Sequence, residues 1–285
     1  MKDEEVSLRP IGVFDSGLGG LTVVRELSTA MPGEDIVYLG DSARVPYGTK
    51  SLETIRRFAL EDAAFLLRFS PKMIVVACNS ATAAAIDVLR ARLPVEVVDV
   101  IRPSAEEAAR HGSGPIGVIG TEATVASGAY ERALAELAPG RAVSAVACPL
   151  LVPIVEEGRD ESDPIVTHVL CDYLRDLQRL RPEVLILGCT HYPLLAGAIG
   201  KLMGPGTLLI NSGQAAASEA KRRLETAGLR NPRRDPGATR CFTTDNPRRF
   251  ATVARRFGAG RIECVAYVGT DELEAQALPA AQQRS

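Results

Sequence analysis

The sequence predicts an α/β protein built from two similar parallel-sheet domains, related by a pseudo-two-fold, with a site in the cleft between them. Three observations carry this. Short apolar runs alternate with longer amphipathic ones along the chain, the pattern of βαβ units around a covered parallel sheet. Ile116-Gly117-Val118-Ile119-Gly120-Thr121 echoes Ile11-Gly12-Val13-Phe14-Asp15-Ser16. Val184-Leu185-Ile186-Leu187-Gly188-Cys189 echoes Met73-Ile74-Val75-Val76-Ala77-Cys78. Ile11 and Cys78 are 67 positions apart in the first half and Ile116 and Cys189 are 73 apart in the second, so order and spacing both repeat.

The elements read in order as follows. Residues 11–14 are a buried strand, followed by a glycine-rich turn and a helix over 21–31. Residues 36–39 are the next strand. The stretch 51–69 has helical periodicity, with Ile55, Phe58, Ala59, Phe65 and Leu66 on one face. A strand at 73–77 leads into a helix ending near Leu93, before Pro94, and 95–98 follows as a strand. Beyond the echoes at 116–121 and 184–189, a helix runs through 215–227 and a polar, proline-containing loop through 230–239. Residues 241–243 and 263–268 read as short strands, and 272–285 as a loosely held polar tail.

Bulk properties narrow the function. The chain has 285 residues, 46% hydrophobic and 24% charged, with a net charge of −2. This balance favours neither nucleic acid nor an anionic membrane, and the arginines of 230–234 read as a solvated loop. The acidic start, Met1-Lys2-Asp3-Glu4-Glu5, has no apolar stretch behind it, and no run reaches the ~18 residues of a membrane span. A soluble, cytoplasmic protein is expected. The six cysteines, at 78, 148, 171, 189, 241 and 264, show no C-x-x-C and no zinc-type spacing. Disulfides and structural metal are not expected, and each cysteine is by default a small buried hydrophobe.

Two cysteines depart from that default. Cys78 stands between a strand and a helix, before Asn79 and Ser80, both good N-caps. Cys189 has the same setting, with Thr190 able to cap and Pro193 suited to the first turn. Strand C-termini are where parallel sheets bind ligands, and helix N-termini there favour anions and thiolates. His191 could orient the Cys189 thiol, share its proton or bind substrate. Asp15 could be a helix cap. The turn Asp15-Ser16-Gly17-Leu18-Gly19-Gly20 is neither a dinucleotide fingerprint nor a P-loop, but its glycines would let backbone approach a ligand. Pro46-Tyr47-Gly48 reads as a turn or a substrate-facing loop, and Arg44 as a carboxylate clamp of unknown direction. Cys148, Cys171, Cys241 and Cys264 keep the default.

Asp15-Ser16-Gly17-Leu18-Gly19-Gly20, Pro46-Tyr47-Gly48, Cys78-Asn79-Ser80-Ala81-Thr82 and Gly188-Cys189-Thr190-His191-Tyr192-Pro193 together resemble the motif set of bacterial glutamate racemases, over about residues 10–270. The resemblance implies a cofactor-independent isomerase that interconverts L- and D-glutamate, with no metal. Cys78 and Cys189 resemble its catalytic thiols, acting on D- and L-glutamate respectively. Asp15, His191 and Glu156 resemble groups that assist them, with Glu157 the alternative to Glu156. Asp15 and Ser16, Tyr47 and Gly48, Asn79 and Ser80, and Thr190 and His191 match its substrate-binding pairs. Ser80 departs from the family's common threonine but keeps a hydroxyl. Residues 1–100 plus 211–270 would form one domain, 101–210 the other and 271–285 the tail, in a homodimer that feeds peptidoglycan synthesis. The resemblance also raises a secondary interaction with DNA gyrase. Three competing readings stand beside it: an aspartate or hydantoin racemase, a non-catalytic binding or regulatory protein of the same fold, and a thiol redox protein.

Overall fold

A computed structural model describes residues 2–258 and 262–276. Among the described residues, ten strands form two wholly parallel sheets. In the first, β1 (Ile11–Asp15), β2 (Ile36–Gly40), β3 (Met73–Val76) and β4 (Glu96–Asp99) lie in the order β2-β1-β3-β4. In the second, β5 (Ile116–Gly120), β6 (Val143–Ala147), β7 (Val184–Gly188) and β8 (Leu208–Asn211) lie in the order β6-β5-β7-β8. The order is the same under the exchange of β1 for β5, β2 for β6, β3 for β7 and β4 for β8. Two late strands, β9 (Thr239–Thr243) and β10 (Ile262–Tyr267), extend the first sheet, β9 pairing in parallel with β2.

Every residue of β1, β2, β3, β5 and β7 is buried. These strands have helices on both faces and read as unbroken apolar runs for that reason. The sequence reading contains neither β6 nor β8, and both are edge strands of the second sheet. Val143-Ser144-Ala145-Val146-Ala147 is half-buried throughout and carries a serine, and the apolar run of the other segment is only three residues long, Leu208-Leu209-Ile210.

One apolar core is shared between the two sheets, combining Ile11, Val13 and Tyr38 with Leu185, Leu187 and Tyr192. The helix Ser212–Thr226, begun by Asn211 capping the amides of Gly213 and Gln214, packs on the helix Leu21–Ala30. Separate apolar clusters line the outer face of each sheet. Among the described residues no helix is long and apolar enough to cross a membrane.

Two sequence expectations need correction here. Cys171 and Cys264 are exposed, whereas Cys148 and Cys241 are buried as expected. Cys171 lies on the solvent side of the helix Pro164–Leu180, and Cys264 on β10 at the sheet edge. The start of the expected loose tail is held: Thr270–Glu274 is a short helix packed on the helix Leu52–Leu67, with Leu273 fully buried. The rest of that expected tail, 277–285, lies outside the described residues. The basic loop is largely solvent-facing, as expected, with Arg230 and Arg233 paired to Glu225 and Asp35.

Candidate active site

The C-terminal ends of strands from both sheets converge on one cavity of about 280 Å3. Ser16 follows β1, the segment from Val45 to Thr49 follows β2, and Cys78, Asn79 and Ser80 follow β3. From the second sheet come Thr121 and Glu122 after β5, Pro149 after β6, and Cys189, Thr190 and His191 after β7. Val152, Pro153 and Glu156, from the helix Leu151–Glu156, complete the wall. Its size suits one small molecule.

The two thiols meet different surroundings. Cys78 is itself the N-cap of the helix Asn79–Arg92, its Sγ accepting from the amide of Ala81 at 3.4 Å, with Ser16 Oγ 3.7 Å away. Asn79 and Ser80, expected as caps, are already inside the helix. Burial, then the nearby Asp15 carboxylate, pushes the Cys78 thiol up to about 12. Cys189 does not precede an α-helix: a 3-10 turn, Tyr192–Leu195, intervenes, and Thr190 caps nothing. Its neighbour is instead the His191 ring, with Nδ1 3.8 Å from Sγ and Nε2 3.2 Å from Glu156 Oε1. Burial opposes charge on that imidazole, but the hydrogen bonds to Cys189 and Glu156 prevail and raise His191 to about 10. A cation beside sulfur is the setting in which a thiolate is stabilised. Glu157, the alternative to Glu156, is exposed and pairs with Arg159.

Asp15 lies beneath the cavity wall, fully buried, with Oδ2 accepting from the amide of Gly17. It caps this turn and not the following helix, which begins at Gly20 without a side-chain cap. Burial raises its carboxyl, and the charge of His191 partly offsets this. The glycines of this turn make room for protein, not only for ligand. A Cβ at Gly19 would come within 2.5 Å of His191 Cε1. That closeness, and the hydrogen bond from Thr22 Oγ1 to the carbonyl of Thr190 (2.9 Å), lock the β1 turn to the β7 turn.

Tyr47 and Gly48 reach the cavity differently from each other. The Tyr47 side chain is buried, its hydroxyl against Asp41 and 2.9 Å from Asp62. Gly48 faces Thr121, whose Cβ would lie 2.7 Å from an added methyl. Arg44 is no free clamp. It points inward to Asp41 (2.7 Å), Asp62 (3.2 Å) and Glu61, with its guanidinium 4.0 Å from the centre of the Phe58 ring. Among the described residues no three His, Cys, Asp or Glu side chains are grouped to hold a metal ion.

Thr121 escaped the sequence reading although a signal existed, since it occupies in the second echo the place Ser16 holds in the first. Its hydroxyl lies 2.8 Å from Ser80 Oγ and 2.9 Å from Thr124 Oγ1, joining the two halves of the wall. Val45 and Pro149, brought in by loops, and Val152, on the helix Leu151–Glu156, carried no signal, being ordinary apolar residues.

The family profile described as Asp/Glu/hydantoin racemase matches residues 11–220. The chain belongs to this family. Within it, a glutamate racemase of Thermus thermophilus is 48% identical over 273 residues, spanning 96% of this chain and 100% of its own. The fold agrees with solved structures of the family. A crystal structure of the Thermus thermophilus glutamate racemase in complex with β-chloro-D-alanine has a TM-score of 0.84 at 47% identity, covering 93% of this chain and 99% of that one. The Francisella tularensis glutamate racemase in complex with D-glutamate has a TM-score of 0.86 at 37% identity, with the same coverages of 93% and 99%.

Proposed function

We propose that this protein is an isomerase that interconverts L- and D-glutamate with two cysteine thiols and no cofactor. The observation that carries the reading is that Cys78 and Cys189, at equivalent strand ends of the duplicated sheets, line a single small cavity. The identity to glutamate racemases over nearly the whole chain selects glutamate over aspartate or a hydantoin as the substrate.

In the L-to-D direction the Cys189 thiolate takes the proton from Cα. The C–H bond breaks, an S–H bond forms, and the electron pair stays on Cα, delocalised into the carboxylate. The Cys78 S–H then delivers its proton to the opposite face of Cα and becomes the thiolate. The reverse direction exchanges these roles, and protons return through solvent between turnovers. In the L-to-D direction the raised Cys78 thiol is suited to act as the acid, and the His191–Glu156 pair sets a positive charge beside the Cys189 sulfur. Asp15 supports that pair from below. Ser16, Gly48, Asn79, Ser80 and Thr190 hold the substrate by hydroxyl and amide groups, and Tyr47 holds the Gly48 segment in place. Such fixed donors stabilise the charge that develops on the substrate carboxylate.

This reading goes with residues 1–100 plus 211–270 as one domain and 101–210 as the other, supported by the return of β9 to β2. It also goes with a cytoplasmic homodimer that supplies D-glutamate for peptidoglycan; any contact with DNA gyrase would be secondary. Circular dichroism of the purified protein with L- or D-glutamate, in EDTA and without added cofactor, tests it. Decay of both signals to zero supports it. Persistence of both, in folded and reduced protein, rejects it in favour of another substrate or a binding role.

A further inference from the structure

Tyr130 touches both thiol-bearing turns without reaching the cavity itself. It stands on the helix Ala129–Leu137 of the second half and is 1% exposed. Its Oη donates to Asn79 Oδ1 at 2.7 Å, one residue after Cys78. Its ring lies against Gly188, one residue before Cys189, where an added Cβ would meet Tyr130 Cε2 at 2.9 Å and the carbonyl of Ile119 at 2.8 Å. Asn79 lines the cavity, and with Oδ1 committed to Tyr130 its Nδ2 is a buried donor without a partner among the described residues. A buried donor left unpaired is unfavourable, and Asn79 itself lines the substrate cavity. An asparagine amide can flip by half a turn, exchanging donor for acceptor. The tyrosine hydroxyl, coming from the other half of the molecule, donates to Oδ1 in this arrangement and leaves Nδ2 unpaired.

We infer that Tyr130 is a positioning residue for the reaction: by holding Oδ1 it turns the Asn79 Nδ2 donor toward the substrate, and it does so only when the two halves are in register. The inference rests on the racemase reading above. Tyr130→Phe keeps the ring against Gly188 and removes only the hydroxyl. It is expected to raise KM about tenfold for both enantiomers while kcat changes less than about threefold, the pattern of lost binding rather than lost chemistry. The double-mutant cycle with Asn79→Ala is the decisive readout. If Tyr130 acts through Asn79, adding Tyr130→Phe to Asn79→Ala leaves KM unchanged. Additive effects, or wild-type KM in Tyr130→Phe, overturn the inference. Should Tyr130→Phe fail to fold, para-fluorophenylalanine in place of Tyr130 keeps the bulk of the ring and removes the hydroxyl donor. Weakened glutamate binding at an unchanged melting temperature then supports the inference, and wild-type KM overturns it. Wild-type protein is assayed first: if it leaves glutamate unchanged, the racemase reading fails and takes this inference with it, whereas a normal wild type with an indifferent variant removes the inference alone.

Discussion

Glu156 Oε1 lies 3.2 Å from His191 Nε2, on the side of the ring away from Cys189. The carboxylate thereby helps keep His191 protonated to about 10, well above the ordinary histidine value. Glu156→Gln removes the charge and keeps the shape. A charge-assisted hydrogen bond is worth about 1.5–3 kcal/mol, so kcat/KM is expected to fall about 10- to 100-fold. L- and D-glutamate have equal free energies, so the fall must be the same for both enantiomers. The alkaline limb of the pH–rate profile should move to lower pH, because the imidazolium then loses its proton earlier.

The same ring makes stability depend on pH. The folded pKa of His191 is raised above that of the unfolded chain, so its contribution is complete below about pH 6.5. It is lost as pH rises toward about 10. The melting temperature should decline across that window, and His191→Asn should flatten the decline. An equally steep decline in the variant would show that other groups govern it.

The two thiols can be separated by isotope exchange. With Cys78→Ala, Cys189 can still remove the Cα proton of L-glutamate, but nothing returns one to the far face. L-glutamate in D2O is therefore expected to gain deuterium at Cα without losing optical purity, and D-glutamate to stay inert. Cys189→Ala should show the mirror-image behaviour. Proton NMR of the Cα–H signal alongside circular dichroism reads both, and continued racemisation by either variant would end the two-thiol mechanism.

Arg44 is the counter-charge for Asp41, Asp62 and Glu61 behind Tyr47. Burial, then the neighbouring Asp41, holds the Asp62 carboxyl well above the usual carboxylate range. Arg44→Met strands the carboxylates, which should cost about 3–5 kcal/mol near neutral pH. A raised carboxyl stabilises most at low pH and loses that contribution as pH rises through its folded value. The deficit of Arg44→Met in urea titrations should accordingly be smaller at pH 5 than at pH 8.

Gly19 and Gly48 are places where a methyl group has no room. Gly48→Ala drives Cβ to 2.7 Å from the Cβ of Thr121, and Gly19→Ala brings it to 2.5 Å from His191 Cε1. Overpacking of this kind costs about 1–3 kcal/mol. Activity should suffer more than stability, since the displaced groups are site residues: a loss of about 100-fold or more in kcat/KM, with the protein still folded by far-ultraviolet circular dichroism. Near-normal turnover in both variants would mean that the two halves need not meet this closely.

The clearest parts of this fold are buried on both sides. Strands β1, β3, β5 and β7 announce themselves because every position but Asp15, at the end of β1, is apolar or small, and the cysteines that follow β3 and β7 inherit their placement. Edge strands β6 and β8 pack on fewer neighbours: β6 is interrupted by Ser144, and β8 offers only the three-residue run Leu208-Leu209-Ile210. Within the site, residues beside a strand end could be anticipated. Those that arrive by tertiary packing could not: nothing near Tyr130 in sequence points to Asn79, 51 positions away. The inward turn of Arg44 and Tyr47 depends on Glu61 and Asp62, which sit in a helix whose periodicity alone suggests two ordinary surface acids.

The return of β9 to the flank of β2 bears on how the chain is made. The second sheet is drawn from one continuous stretch, Ile116 to Asn211, and can close as soon as that stretch has left the ribosome. In the first sheet β2 is an interior strand only after Thr239–Thr243 has emerged, some two hundred residues later. Until then Ile36-Val37-Tyr38-Leu39-Gly40 presents an open, wholly apolar edge to the cell, the kind of surface that invites association with other nascent chains. The half of the protein synthesised first is thus the half that finishes folding last.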